Sequence, residues 1–549
     1  MRVRPSFPTP ALLVVLSLAS SVAGGCRSAQ EFRLEADEEV YALVRDRRAR
    51  LFDETDDFDI DPPEDSLRER ILRREVRELP GLDMVGCLEI AAENNREFQT
   101  RKEALYLAAL DVTLERWELG WIADGVGDVG ISGLGDTANS AGAGGTLGLQ
   151  RVLGTGAEFL GELGLALAKD LSGGGGWTAT TTVDLLFTQP LLRGAGGWIV
   201  YEDLTQAERD LVYEVRAFER FRRELAVDVA ARLLRLLQAL DRIDNERRNF
   251  ENVTKIRERN ESLSNAGRLS DIQVDQALQD ELSSEDRLIS AHQSYENELD
   301  TFKLTLGLPM DLEISLDPGE LERLTTLGSA FDDIDSVLAA EVAYSQRPDF
   351  KTSVDRVVDA ERRSRVAADA LRMGLDVSSS IELSSDDKNP LKFNFQDVSW
   401  SLGLVIDLPI NRMRERNTYR SALIQWQASA RAAGAFEDEI ARDLRAELRA
   451  VAARRESREI QSSAVRLAEK RVESAGLNLQ AGRASTRDLL EAQDDLVNSR
   501  NAETRALIEL TLARFDLALD MGLLRVEEGG VRVETIDVAL EALPGEVSE

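Results

Sequence analysis

The chain has 549 residues and is strongly acidic, with 67 Lys and Arg against 100 Asp and Glu and a net charge of −33. This balance argues against binding nucleic acid, which requires clustered basic side chains. The chain has one histidine, His292, and two cysteines, Cys26 and Cys87. Ser–His or Cys–His catalysis, a multi-histidine metal site and a disulfide framework are therefore not expected. We predict no enzyme, no cofactor and no metal.

The first 25 residues have the pattern of a bacterial export signal. Two arginines precede an apolar run from Ala11 to Ala19, which is too short to cross a bilayer as a helix. The Val-Ala-Gly-Gly-Cys sequence that follows resembles a lipobox, in which Cys26 would carry the lipid. Alanine stands where leucine is usual, and cleavage after Ala23 is the alternative. In both cases we expect the chain to leave the cytoplasm.

Two strand pairs are predicted by alternating apolar and polar residues. The downstream strands cover about 177–189 and 393–409, and their upstream partners cover about 146–168 and 374–384. One face of each strand is apolar and the other is small and polar, which is typical of a membrane barrel strand with lipid outside and a lumen inside. A soluble sandwich shows the same alternation. The export signal and the long helices described next favour the membrane.

Very long helices follow each strand pair. No proline or glycine occurs from Tyr201 to Asn265, and apolar residues recur at helical spacing there. A second stretch, from about Thr418 to Ala481, has the same apolar spacing, no proline, and only Gly434 and Gly476 inside it. At 1.5 Å per residue each helix is on the order of 100 Å long. Their polar opposite faces predict coiled-coil-like pairs that face water.

An internal duplication ends both helices in the same turn. Ala-Gly-Arg occurs at 266–268 and again at 481–483, an offset of 215. A second glycine follows 40 residues later in both copies, at Gly307 and Gly522. Gly267 and Gly482 suit the left-handed position that ends a helix. We expect the next helices to start with capping boxes formed by the following pairs: Ser270 with Gln273, and Ser485 with Asp488.

Four strands cannot close a barrel, and an open strand edge cannot lie in lipid. The sequence therefore predicts an oligomer, of which a trimer would supply twelve strands.

The sequence resembles the TolC family of outer-membrane efflux proteins over about residues 82–524. The following motifs carry the resemblance: Thr188-Gln189-Pro190-Leu191-Leu192, Arg347-Pro348-Asp349-Phe350 with its first-half counterpart Asn95-Arg96-Glu97-Phe98, and Ala481-Gly482 followed by Asp488-Leu489-Leu490-Glu491-Ala492-Gln493.

The resemblance implies a homotrimeric channel with its barrel in outer-membrane lipid and its helices in the periplasm, serving drug efflux or type I secretion. A periplasmic adaptor and an inner-membrane transporter, proton-driven or ABC, would be its partners. It also implies that Asp488 and Glu491 line a periplasmic constriction. The residues at adaptor-docking helix tips would be Gly267, Arg268, Gly482 and Arg483. For Asp488 the helix cap is an equal alternative, and the two glycines are also explained by the turns alone.

The predicted fold class is mainly α-helical with a membrane β-barrel, built on an internal duplication with four strands per chain. Its segments are the following: 1–25 signal peptide, 26–80 acidic N-terminal segment, 81–325 first repeat with helices about 194–306, 326–524 second repeat with helices about 411–522, and 525–549 acidic C-terminal tail. The carboxylates between Asp53 and Asp61 predict a solvated arm, and the glycine-rich stretch 125–145 is a candidate for a lengthened barrel loop. The rival prediction is a periplasmic coiled-coil adaptor or scaffold protein that forms no pore.

Overall fold

The computed structural model describes residues 27–52, 58–61, 65–134, 138–171, 176–317, 319–320, 323, 334–386, 389–393, 395–527 and 530–533. The predicted signal peptide, Cys26 and most of the C-terminal tail lie outside these described residues. The chain divides into two compact units. One comprises 1–60, 104–215 and 372–409, and the other comprises 61–103, 216–371 and 410–549.

The helices are, in chain order, α1 (Ala29–Phe52), α2 (Leu67–Leu72), α3 (Met84–Asn94), α4 (Arg96–Glu118), α5 (Gly197–Val200), α6 (Glu202–Asn265), α7 (Asp271–Thr305), α8 (Ser336–Gln346), α9 (Pro348–Asp369), α10 (Met413–Gln480) and α11 (Thr486–Asp520). The strands are β1 (Glu78–Leu82), β2 (Ile122–Leu134), β3 (Ala138–Val152), β4 (Glu158–Asp170), β5 (Trp177–Pro190), β6 (Glu313–Leu316), β7 (Gly374–Asp386), β8 (Asn389–Phe393), β9 (Ser399–Asp407), β10 (Leu524–Glu527) and β11 (Gly530–Val533). Within the described ranges, no helix combines the length and the apolar character that crossing a membrane requires.

The first unit contains a large antiparallel sheet. Its strands run in the order β2-β3-β4-β5-β7, and both β8 and β9 pair with β7. The duplicated hairpins predicted from sequence are present as β4–β5 and β7–β9. The sheet holds further strands that were not expected. Residues 125–134 and 138–145 of the glycine-rich stretch lie in β2 and β3 and do not form the lengthened loop that was suggested for them.

The interval 146–168 was expected to be one strand and contains two. A tight turn separates β3 from β4, and it is closed by the Leu153 N–H donating to the Ala157 carbonyl at 2.7 Å. Gly156 has a φ of +88° in this turn. Only glycine adopts that backbone conformation at little cost, so the chain reverses here.

The acidic N-terminal segment contains a packed helix, α1, before the predicted solvated arm. Its helix α1 buries Val40 and Val44 completely, and Tyr106 of α4 donates a hydrogen bond to Asp37 at 2.7 Å. The predicted arm begins at Asp53, after the end of α1, so α1 does not test that prediction. Residues 53–57, where the acid is densest, lie outside the described part of the chain.

The second unit is a set of long helices packed along predicted apolar stripes. Val229, Leu233 and Leu236 of α6 are fully buried, as are Ile440 and Leu444 of α10 to within 1%. All five belong to one hydrophobic core. The i, i+4 and i, i+3 spacing seen in the sequence is therefore the packing face of both helices.

The duplication also repeats a contact at the ends of α7 and α11. Asn95 donates to the Thr305 carbonyl at 2.7 Å, and Arg347 donates to the Asp520 carbonyl at 3.3 Å. Thr305 and Asp520 differ by the same offset of 215 as the helical turns. The Arg347 motif and its first-half counterpart therefore cap equivalent helix ends.

Candidate functional site

The two predicted helical turns of the second unit have the same backbone geometry. Gly267 and Gly482 have φ values of +67° and +69°. Arg268 N–H donates to the Leu263 carbonyl at 2.9 Å, and Arg483 N–H donates to the Asn478 carbonyl at 2.8 Å. Both are six-to-one hydrogen bonds of the Schellman motif, so the predicted helix ends are confirmed.

The helices that follow these turns start differently. Ser485 and Asp488 form a full capping box at the start of α11. Among the described residues, Ser270 makes no such side-chain hydrogen bond at the start of α7. The predicted Ser270–Gln273 box is therefore wrong. Glutamine lacks the charge that makes the Asp488 hydrogen bonds strong, and at the first turn Ser264 donates instead to the Asp271 carboxylate at 2.7 Å.

A buried asparagine joins the two helical hairpins close to their tips. The Asn260 side chain is 2% exposed. It accepts a hydrogen bond from the Thr486 hydroxyl at 3.3 Å and donates to the Gln273 carbonyl at 3.4 Å. A buried amide left without partners would be costly, so these bonds fix α6 against the starts of α7 and α11.

The carboxylate of Asp488 is exposed and held in place. It accepts from the Ser485 backbone N–H and from the Ser485 hydroxyl, both at 2.8 Å. These two hydrogen bonds lower the pKa of Asp488. Asp488 is therefore ionised at neutral pH, and the cap and the predicted constriction role do not exclude one another.

Glu491 lies one turn further along α11 on the exposed surface. Its carboxylate accepts from the Arg487 guanidinium at 2.8 Å. This pair is an exposed i, i+4 ion pair, which contributes little to stability. Glu491 and Asp488 thus lie on neighbouring turns of α11, and each binds a different partner.

A second acidic group, which the sequence did not predict, consists of Asp280, Asp494 and Glu246 on α7, α11 and α6. Burial, and next the nearby Asp494 carboxylate, raise the pKa of Asp280 on α7. Arg287 contacts Asp494 at 3.0 Å and Glu246 at 3.5 Å. These residues come from three helices, so no sequence spacing could have predicted their meeting.

The four predicted docking residues are all exposed at the turns. No described atom lies within 4 Å of the place where a Cβ on Gly267 or Gly482 would be. The positive φ therefore explains both glycines, and the surface around them is open. Arg268 and Arg483 place a positive charge directly after each turn.

The polar face of the sheet in the first unit carries a row of carboxylates. Glu162 on β4 lies directly opposite Asp184 on β5, and Asp184 lies directly opposite Glu382 on β7. Like charges in directly opposed cross-strand positions destabilise a sheet. The polar face is thus suited to an environment of water and cations, and the sequence reasoning did not single out these three residues.

Solved structures of outer-membrane channels have the same fold. The outer-membrane channel OprN matches with a TM-score of 0.57 at 14% identity, over 85% of this chain and 94% of that chain. The CmeC outer-membrane channel of Campylobacter jejuni matches with a TM-score of 0.58 at 14% identity, over 83% and 88%. The outer-membrane protein VceC of Vibrio cholerae matches with a TM-score of 0.59 at 15% identity, over 80% and 96%.

These similarities confirm the fold class predicted from sequence, long helices combined with the strand sheet of an outer-membrane channel. They agree with the fold that the TolC-family resemblance implied. A comparison with protein-family models finds no match, and a comparison with curated protein sequences finds none either.

Proposed function

We propose that this protein is an outer-membrane channel subunit for efflux or type I secretion. The observation that carries the proposal is the two-faced sheet. Val183, Leu383 and Trp400 lie on its apolar face, and Glu162 and Asp184 lie on its polar face. This arrangement suits a barrel with lipid outside and water inside. The fold shared with OprN and CmeC supports the proposal.

The partners follow from the same proposal. A homotrimer would close the barrel in outer-membrane lipid, with Cys26 as its lipid anchor if the lipobox is used. A periplasmic adaptor would dock on the exposed turns at Gly267–Arg268 and Gly482–Arg483. An inner-membrane transporter, proton-driven or ABC, would supply the energy. The open surface around both glycines supports the docking role.

Asp488 and Glu491 are proposed to line the periplasmic constriction. The low pKa of Asp488 keeps it charged at neutral pH. Symmetry would repeat both carboxylates around a narrow opening, where they would favour cations over anions. The row of carboxylates on the polar face of the sheet would act in the same direction.

The duplication supplies the variant that tests the constriction. Asp488 and Glu491 correspond, at the offset of 215, to Gln273 and Gln276 of the first copy. Asp488→Gln with Glu491→Gln gives the second copy the uncharged residues of the first at these two positions. In planar bilayers we expect higher resting conductance, or weaker block by divalent cations, than in the wild type.

A charge-matched control removes two exposed carboxylates from a different helix, α7, by Glu285→Gln with Asp286→Asn. Conductance and block should stay at the wild-type level in this control. If the tip variant also behaves like the wild type, Asp488 and Glu491 do not form the constriction. A protein that fractionates with the soluble periplasm and never conducts would instead support the rival, a coiled-coil adaptor or scaffold.

A further inference from the structure

We propose that this chain contributes six long strands to its barrel, and that β2 of one copy pairs with β9 of the next copy. The proposal rests on the channel function proposed above. It assigns the glycine-rich β2–β3 hairpin to the barrel wall, and three copies would then supply eighteen strands instead of twelve.

The hairpin is paired with the rest of the sheet without irregularity. Thirteen consecutive residue pairs join β2 to β3, from Ile122↔Gln150 to Leu134↔Ala138. Thirteen more join β3 to β4, from Ser140↔Asp170 to Val152↔Glu158. β2 and β3 have 13 and 15 residues, as long as β4 and β5 with 13 and 14. A tilted strand needs about 9–11 residues to cross a bilayer, so the hairpin is long enough.

Four larger apolar residues of the hairpin lie on the same face as those of the other strands, namely Val129, Ile131, Leu147 and Leu149, whereas Val126 lies on the opposite face. Leu147 on β3 lies opposite Leu163 on β4, which lies opposite Val183 on β5. Val129 and Ile131 of β2 share this face and are 86% and 80% exposed. Two such exposed branched side chains are suited to contact with lipid.

The polar residues of the hairpin continue the opposite face. Asp124 on β2 lies opposite Gly148, which lies opposite Glu162 on β4. The carboxylate row of the polar face therefore extends onto β2. A loop or plug would have no reason to keep both faces in phase over four strands.

The glycines of the hairpin have a packing role that recurs in the rest of the sheet. A Cβ on Gly144 would lie 2.8 Å from the Asp128 carboxylate, and a Cβ on Gly164 of β4 would lie 2.6 Å from the Thr182 hydroxyl. In both places a polar side chain lies across a glycine of the neighbouring strand. The hairpin and the β4–β5 pair are therefore built in the same way, with glycine giving space on the polar face.

The two end strands identify the occupant of the open edges as a second copy of this chain. In the described part of the chain, β2 pairs only with β3, and β9 pairs only with β7. The six long strands alternate in direction, so β2 and β9 run in opposite directions. A copy can thus add β2 beside β9 in the same antiparallel pattern all round a ring. Backbone groups at both edges would otherwise face lipid without partners.

The strand number sets the width of the pore. With strands about 4.8 Å apart and tilted by about 40°, twelve strands give a backbone diameter of about 24 Å and eighteen give about 36 Å. An eighteen-stranded barrel would therefore be about one and a half times as wide as the twelve-stranded barrel expected from sequence.

Disulfide cross-linking between copies tests the pairing directly. In a Cys87→Ala background, a cysteine at Leu404 of β9 is combined in turn with cysteines on the apolar face of β2, at Ala123, Gly127 and Val129. Mild oxidation should produce cross-linked oligomers for at least one of these combinations. The matched control combines Leu404→Cys with Leu163→Cys on β4, which should not cross-link, because β4 is an interior strand.

Electron microscopy of the purified oligomer in detergent supplies a second readout, the barrel diameter. A barrel near the larger width, with β2–β9 cross-links, supports the proposal. Cross-links between β9 and β4 in a conducting oligomer of the smaller width would overturn it and leave the channel function intact. A preparation that forms no oligomer and does not conduct would instead reject the channel function itself.

Discussion

Substitution of Gly522 by alanine tests how the ends of the long helices are held. Gly522 ends α11 with a φ of +76°. A Cβ there would lie 3.0 Å from Gln346 and 3.2 Å from the backbone nitrogen of Arg347. The left-handed backbone costs an alanine about 1–2 kcal/mol, and the overlap adds roughly 1–3 kcal/mol. We therefore expect Gly522→Ala to lower the free energy of unfolding by about 2–5 kcal/mol.

Substitutions at two further glycines measure the backbone strain separately from the steric overlap. Gly482 has a φ of +69° but no described atom near its Cβ position, so Gly482→Ala should cost only the backbone strain of about 1–2 kcal/mol. Gly434 lies inside α10 with the same open space. Gly434→Ala should stabilise the protein by about 0.5–1 kcal/mol, because alanine favours the helix.

The assay is urea unfolding of the purified oligomer in detergent, followed by far-ultraviolet circular dichroism. Protein and detergent concentrations are kept constant, because the stability of an oligomer depends on them. The expected order of midpoints is Gly434→Ala above wild type, then Gly482→Ala, then Gly522→Ala. If Gly522→Ala and Gly482→Ala lower the free energy of unfolding equally, the close packing of Gly522 against Gln346 and Arg347 does not contribute to stability. A larger loss for Gly434→Ala than for Gly482→Ala would refute the account of the positive φ.

Three other predictions follow from the helical unit. Burial and the neighbouring Asp520 carboxyl raise the pKa of Glu447 to about 9 from its usual 4.5. Between these two pH values the folded state keeps a proton that the unfolded chain releases. The free energy of unfolding should therefore fall as the pH rises from about 4.5 to about 9. Glu447→Gln should flatten that pH dependence of the unfolding midpoint, and an unchanged profile would contradict the assignment. Ser485→Ala should cost about 0.5–2 kcal/mol and Ser270→Ala almost nothing, because only the first caps its helix. Hydrogen exchange at the two helix starts measures this difference, and equal acceleration would count against it. Asn260→Ala should cost roughly 1–3 kcal/mol by leaving buried partners unpaired. Exchange should then accelerate at both hairpin tips, whereas acceleration at one tip only would show that Asn260 does not join them.

Part of the candidate site could be predicted from sequence, because the duplication repeats the sequence of the turns. The two Ala-Gly-Arg sequences predicted two helix ends, and the positive φ of Gly267 and Gly482 confirms them. The same symmetry misled the prediction for Ser270. Equivalent positions in the two copies carry different side chains, and the capping box depends on the acid at the third helical position.

The glycine-rich hairpin shows why two strands of the sheet were not predicted. β2 and β3 have small residues where β4 and β5 have leucines and threonines, so their alternation is weak in the sequence. Their polar face becomes apparent only from the pairing of Asp124 with Gly148 and of Asp128 with Gly144. Sequence alone cannot show that a glycine gives space to a side chain of the neighbouring strand.

The sequence by itself determined the fold class, the duplicated long helices, the two strong hairpins and the turns that end the helices. These features depend on local periodicity and on the conformational freedom of glycine, which are properties of short segments. Only the tertiary structure decided which side chains meet across elements: Asn260 with Thr486, Asp280 with Asp494, Arg347 with Asp520, and the carboxylate row across the sheet. It also decided that β2 and β3 continue that sheet. Such contacts join residues far apart in the chain, and their distances are set by the packing of whole helices and strands.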